Sequence, residues 1–322
     1  MKLGILGTGK IVRELMKEYA CLPVEKTYIL ATPRSLERAE SFGLDGVFTD
    51  YDKLLASGID TVYVALPNDL HYAYTKKALE KGKDVILEKP ATSNLRELEE
   101  LYALAEAKGR ILVEAVTTHQ IPAFAALKAA MQTLGPVESA HFRFCQHSSR
   151  YNDFLAGIIH PVFDPAKSGG ALYDLNVYNV HAALSLFGVP ENVDYEATVC
   201  KGIDTSGVLT LHYGDKTVLC EGAKDHDSTE PSVIACRDGR LEIEEPLSRV
   251  TGFRICWTNG ETEIFQAAPA DRMRTEFENI LRLLECRDKE GLAILTGYSL
   301  EAARIMELAR KQAGIRFACD RE

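Results

Sequence analysis

The first 116 residues alternate short, continuously apolar runs with amphipathic segments that end in glycine, and few folds accept that pattern. The apolar runs are "KLGIL", "KTYILAT", "DTVYVALP", "DVILEKP" and "RILVEAV". Between them, "KIVRELMKEYA", "SLERAESFG", "LHYAYTKKALEKG" and "NLRELEELYALAEAKG" carry apolar residues at helical spacing. A strand buried on both faces reads as continuously apolar, and parallel strands joined through helices cross over right-handedly. The pattern predicts an α/β domain with a doubly wound parallel sheet over residues 1–116.

The pattern changes after residue 117. "PAFAALKAAMQTLG" reads as a helix, and "VESAHFRFCQ" alternates like a half-buried strand. The helical "ALYDLNVYNVHAALSLFG" precedes five strand-like segments: "NVDYEATVCKG", "SGVLTLHYGD", "KTVLCEGAK", "PSVIACRDG" and "RLEIEEP". This predicts a second, α+β domain over residues 117–322 with an antiparallel or mixed sheet. Two helices close the chain, in "DRMRTEFENILRLLECRD" and "SLEAARIMELARKQAG", and the last is expected to pack back on the first domain. No flexible linker, low-complexity tract or repeat separates the domains, so a cleft between closely packed units is expected.

Charge and cysteine usage narrow the function. A formal net charge of -10 argues against non-specific binding to nucleic acid or to an anionic membrane. The N-terminus lacks the features of a signal peptide, and no apolar run reaches the roughly 18 residues a membrane span needs. A soluble cytoplasmic protein is expected. The eight cysteines form no Cys-x-x-Cys pair, so neither metal nor disulfide chemistry is indicated.

The first strand runs into Gly7-Thr8-Gly9-Lys10-Ile11, a glycine turn opening a helix. Gly7 permits the tight turn, and Gly9 lets backbone N–H groups approach a pyrophosphate at the helix N-terminus. Val12 stands where the dinucleotide fingerprint has its third glycine. The second strand ends Ala31-Thr32-Pro33-Arg34-Ser35, without the carboxylate that holds the ribose hydroxyls of NAD. Arg34 suits a 2′-phosphate, with Thr32 and Ser35 as hydroxyl donors, so NADP is favoured over NAD. Leu66, Pro67 and Asn68 end the third apolar run and His71 opens the next helix, which makes them candidates for the cofactor side.

Glu88 and Lys89 stand where the fourth run ends, on the rim where doubly wound folds bind ligands, so both are expected to face the cofactor. Pro90 biases Lys89 towards an extended backbone. A lysine there can hydrogen-bond a substrate hydroxyl and help take its proton as hydride leaves carbon. Downstream, Gly169 and Gly170 precede a helix bearing Asp174, Tyr178 and His181. Asp174 and Tyr178, four apart, share a face. Tyr178 can serve as acid or base, Asp174 can orient it or bind substrate, and His119 and His181 are further substrate-side candidates.

Taken together, "GILGTGKI", "ALPNDLHYAYTKKALEKGKDVILEKP" and "GGALYDLNVYNVH" resemble the Gfo/Idh/MocA oxidoreductase family along nearly the whole chain. The Glu-Lys-Pro is that family's hallmark. The resemblance implies a Rossmann domain, a C-terminal α+β domain whose open sheet commonly forms the oligomer interface, and a catalytic lysine at Lys89. Tyr178 stands where many members have histidine and resembles the branch with glucose–fructose oxidoreductase and dihydrodiol dehydrogenase. "VEAVTTHQIPAF" resembles the same branch, with Thr117 and His119 near its aromatic and arginine, and Asn176 stands at a common glycine. The implied activity is hydride transfer between NADP or NAD and a secondary alcohol or carbonyl of a sugar or polyol, in a homodimer or homotetramer. Two rivals are a non-catalytic nucleotide-binding regulator and an NAD-dependent glycosidase.

Overall fold

The computed structural model describes residues 1–268 and 271–321. Its compact units are Met1–Ala115 with Ala270–Leu300, and Val116–Pro269 with Glu301–Glu322.

In the first unit the chain runs β1 (Lys2–Leu6), α1 (Lys10–Glu18), β2 (Lys26–Leu30), α2 (Leu36–Glu40), β3 (Gly46–Phe48) and α3 (Tyr51–Ala56). It continues through β4 (Thr61–Val64), α4 (His71–Glu80), β5 (Asp84–Glu88), α5 (Leu95–Ala107) and β6 (Leu112–Ala115). The strands form one sheet in the order β3-β2-β1-β4-β5-β6, with every pairing parallel. The order reverses between β1 and β4, so the turns after these strands flank the switch point at the carboxyl edge. The three-residue β3 is a sixth strand beyond the five apolar runs, too short to show a period.

In the second unit α6 (Pro122–Thr133), β7 (Val137–Cys145) and α7 (Tyr151–Leu155) precede a π-helical segment, Leu172–Asn176, which leads into α8 (Val177–Phe187). Then come β8 (Asn192–Cys200), β9 (Ile203–His212), β10 (Thr217–Ala223), β11 (Ser232–Cys236), β12 (Gly239–Ile243), β13 (Gly252–Trp257) and β14 (Thr262–Gln266). The eight strands order as β14-β13-β12-β11-β7-β10-β9-β8. Only β7 and β10 pair in parallel, so the sheet is mainly antiparallel as expected. The hairpin β13–β14 is missing from the sequence reading because the exposed β14 lacks an apolar face. Phe142, Phe144, Leu209, Leu211 and Val218 form the core with Val177, Val180 and Leu184 of α8.

The closing helices are α9 (Arg272–Cys286) and α10 (Lys289–Gln312). Helix α10 starts ten residues before the segment read as helical, and the division between the units falls within it. Helix α9 contributes Met273, Phe277, Ile280, Leu281 and Leu284 to the same core as Leu3, Ile5, Ile29, Tyr63 and Val113. The Phe277 ring meets Tyr63 edge-on at 4.9 Å. The first unit is therefore discontinuous in sequence, and a single cut at 116/117 misses this helix. The cause is that α9 is strongly amphipathic and finds its apolar complement on β1, β4 and α1, more than 200 positions away.

Candidate functional site

At the carboxyl edge of the parallel sheet, Gly7 has φ +102°, and a Cβ there would lie 2.6 Å from the Ala65 carbonyl oxygen. Only glycine fits that conformation and approach. Gly9 differs: it has an ordinary φ of -68°, and no atom lies within 4 Å of where its Cβ would stand. The space beside Gly9 and the N–H groups that open α1 at Lys10 and Ile11 suit a pyrophosphate. Thr8 is buried, and its carbonyl accepts from Arg38 Nη1 at 3.5 Å, a second arginine beside the turn that sequence reading passed over. Val12, at the third glycine position, is fully buried in the core.

Thr32 and Ser35 bond each other in a capping box. The Thr32 N–H donates to Ser35 Oγ at 3.0 Å, and the two hydroxyls lie 3.1 Å apart. Arg34 is exposed between them. Around the turn after β4, Pro67 is exposed and Asn68 half-buried, whereas His71 is fully buried. Its Nδ1 lies 3.0 Å from the Pro90 carbonyl and its Nε2 2.9 Å from that of Leu66. Burial pushes its pKa down even though two carbonyl acceptors favour a proton on each nitrogen. Both ring nitrogens of His71 are taken up by these carbonyls, so the ring ties the Leu66 turn to the Lys89–Pro90 turn.

Lys89 directly follows β5, and its peptide bond to Pro90 is cis. Glu88 points into the core, where its carboxylate accepts from the Tyr63 hydroxyl at 2.5 Å and from the Lys89 N–H at 3.3 Å. A second carboxyl, Glu114 of β6, accepts from the Ala91 N–H at 2.8 Å. Burial pushes Glu88 up and Glu114 up to about 7, while the positive charge of Lys89 opposes both shifts. Glu88, expected on the cofactor side, therefore shapes the lysine turn from beneath, and Glu114 does the same from the next strand. The signal for Glu114 was present in "RILVEAV": a carboxylate inside an otherwise apolar run needs a buried partner.

In the second unit, Asp174 lies on the π-helical segment and is half-buried. Such segments cluster at functional sites. Its carboxylate takes a hydrogen bond from the Lys224 ammonium. Tyr178, one turn on, is buried with its ring 5.9 Å from Phe144. Asn176 and Asn179 staple this stretch to β10, their side-chain amides donating to the Cys220 carbonyl at 2.8 Å and the Glu221 carbonyl at 3.0 Å. Asn176 fits because its partner strand carries Gly222, where a Cβ would come within 2.8 Å of Asn176 Cβ.

His119 and His181 are brought together, His119 Nε2 lying 3.0 Å from His181 Nδ1. Atoms packed around the pair push both pKa values down, that of His119 to about 3 with help from the charge of Lys128. The unfolded chain takes up a proton at His119 near the ordinary value of 6.5, before the folded one does. This contribution is therefore present above pH 6.5 and lost as pH falls towards about 3. Glu114 has the opposite sign: its contribution is full below 4.5 and lost as pH rises through about 7. Lowering the pH from 7 to 5 should therefore lower the urea midpoint less, or raise it more, in His119→Phe than in the parent. An equal shift in both would count against the neutral pair.

The sequence matches the family model described as an oxidoreductase family with an NAD-binding Rossmann fold over residues 1–116, and the GFO/IDH/MocA C-terminal domain over residues 124–242. It is 33% identical over 328 residues to scyllo-inositol 2-dehydrogenase (NADP(+)) IolU of Bacillus subtilis, covering 99% of each chain. It is 31% identical over 305 residues to D-xylose 1-dehydrogenase (NADP(+)) 2 of Haloferax volcanii, covering 88% of this chain and 89% of the other. Among solved structures, the 3-ketoreductase KijD10 of Actinomadura kijaniata, in complex with NADP and TDP-benzene, superposes with a TM-score of 0.86. That alignment covers 98% of both chains at 22% identity, a likeness of fold.

Proposed function

Since this chain belongs to the Gfo/Idh/MocA oxidoreductase family, we propose that it is an NADP-dependent dehydrogenase acting on a secondary alcohol of a polyol or sugar. The observation that carries this reading is the carboxyl edge of the parallel sheet, where the open backbone at Gly9 and the lysine turn at Lys89 end strands of one sheet. Gly7 to Ile11 would hold the pyrophosphate, and Arg34 with Arg38 would meet the 2′-phosphate. Bound nicotinamide supplies the hydride acceptor. Lys89 hydrogen-bonds the substrate hydroxyl, Tyr178 moves its proton, and Asp174 orients the hydroxyl. Thr32 and Ser35 support Arg34 by shaping its turn.

The test is a screen with NADP+ and with NAD+ against scyllo-inositol, D-xylose and other polyols and sugars, read as growth of reduced-cofactor absorbance. Turnover of at least one is expected. Tight nucleotide binding with no turnover would favour a regulator, and cleavage of a nitrophenyl glycoside without net cofactor reduction would favour a glycosidase. An arginine–phosphate bond contributes about 1.5–3 kcal/mol, or about ten- to a hundredfold. Arg34→Ala should therefore raise KM for NADP+ by at least about tenfold and barely change that for NAD+. Equal effects on both would remove Arg34 from the 2′-phosphate site.

The proposal extends to setting and assembly. No helix among the described residues is long and apolar enough to cross a membrane. None of the eight cysteines forms a disulfide, which suits a reducing cytoplasm. Assembly as a homodimer or homotetramer through the eight-stranded sheet would cover Ile264 on edge strand β14, which is 75% exposed. Light scattering should give two or four times the chain mass, and a monomer mass would refute this.

A further inference from the structure

Lys224 follows β10 directly, and its side chain is only 3% exposed. Its ammonium donates to the Asp174 carboxylate and to the Val162 carbonyl at 3.0 Å, and stands 4.8 Å from the centroid of the Phe163 ring. The backbone beneath it is fixed on both sides: its N–H donates to the Thr205 carbonyl at 2.8 Å, and its carbonyl accepts from the Ser148 N–H at 2.8 Å. The π-helical segment has a second anchor in Asp204, which accepts from the Leu172 N–H at 2.6 Å and from the Tyr195 hydroxyl at 2.8 Å.

Stability alone does not account for this arrangement. An ammonium withdrawn from water costs several kcal/mol, and a well-packed apolar residue of similar volume often does as well or better. What a buried ammonium adds is direction. Asp174 is partly exposed and sits on a segment whose hydrogen bonding departs from the α-helical pattern, so its carboxylate needs a fixed neighbour to hold one orientation. Lys224 is immobilised by its own backbone, by Val162 and by the Phe163 ring, and provides that neighbour.

We propose that Lys224 is a positioning residue, which holds the Asp174 carboxylate in the orientation that receives the substrate hydroxyl. The inference rests on the role given to Asp174 above. It is tested by a double-mutant cycle of Lys224→Met and Asp174→Asn, in steady-state kinetics with NADP+ and whichever polyol of the screen turns over.

Lys224→Met should lower kcat by about tenfold or more while KM for NADP+ and the melting midpoint stay near those of the parent. In the Asp174→Asn background the same change should cost less than about twofold, because the two act as one unit. Parent-like turnover of Lys224→Met, or losses that multiply, would overturn the inference while leaving the role of Asp174 intact. Parent-like turnover of Asp174→Asn would overturn both, as would a parent enzyme that turns over no polyol. If Lys224→Met fails to fold, Lys224→Gln carries the same comparison.

Discussion

Lys89→Ala is expected to lower kcat/KM for the polyol by about 10³-fold, within the range that a positioned proton-transfer group contributes. NADP+ affinity should change by less than about threefold, because the turn that would hold the pyrophosphate lies on β1 and α1, not on β5. Most of the loss should fall on kcat, since the proposed bond from the lysine to the hydroxyl strengthens as the proton departs. Two buried carboxylates brace its turn. Glu88 bonds Tyr63 and the Lys89 amide from inside the core, and Glu114 bonds the Ala91 amide. Removing the side chain leaves those backbone anchors in place, so lost activity would report chemistry and not a collapsed loop. Tyr178→Phe should cost a comparable amount, and the double variant little more than the worse single one if, as proposed, both groups act on one proton. Parent-like turnover of Lys89→Ala with cofactor affinity retained would remove the lysine from the reaction.

A pair of glycines two positions apart should separate folding from cofactor binding. At Gly7 an L-residue meets both a left-handed backbone, costing roughly 1–2 kcal/mol, and a backbone oxygen 2.6 Å from its Cβ. The two together should destabilise the first unit by about 3 kcal/mol or more, a large share of an ordinary domain's stability of about 5–15 kcal/mol. At Gly9 the added methyl meets no protein atom and needs no unusual φ, so Gly9→Ala should unfold within about 0.5 kcal/mol of the parent. The same methyl would occupy the space proposed for the pyrophosphate, and NADPH should bind at least about tenfold more weakly. Urea unfolding and a titration of NADPH fluorescence measure the two effects. Parent-like NADPH binding by Gly9→Ala would move the pyrophosphate elsewhere.

Much of the candidate site could be proposed from the sequence because its signals are local. The glycines at 7 and 9 follow an apolar run and open a helix. Lys89 ends another apolar run, and Asp174 and Tyr178 are one helical turn apart. What escaped was supplied by distant neighbours. Glu114 matters through Ala91, and Lys224 through Asp174, 50 positions away. His71 stands at a helix start, as a ligand-facing residue would, and only the carbonyls of Leu66 and Pro90 show it turned inward.

Residue order by itself determined the alternation of strands and helices in the first 116 positions, the turn chemistry and the residue types at the carboxyl edge, because each follows from spacing along a few neighbouring residues. Tertiary structure alone decided that α9 completes the core of the first sheet, that Arg272 pairs with Glu14 across 258 positions, and which buried charges meet. An amphipathic period records that a face is buried but not what buries it. The partner is selected by complementary surfaces and by the cost of leaving a buried charge unpaired, and both exist only once the chain has folded.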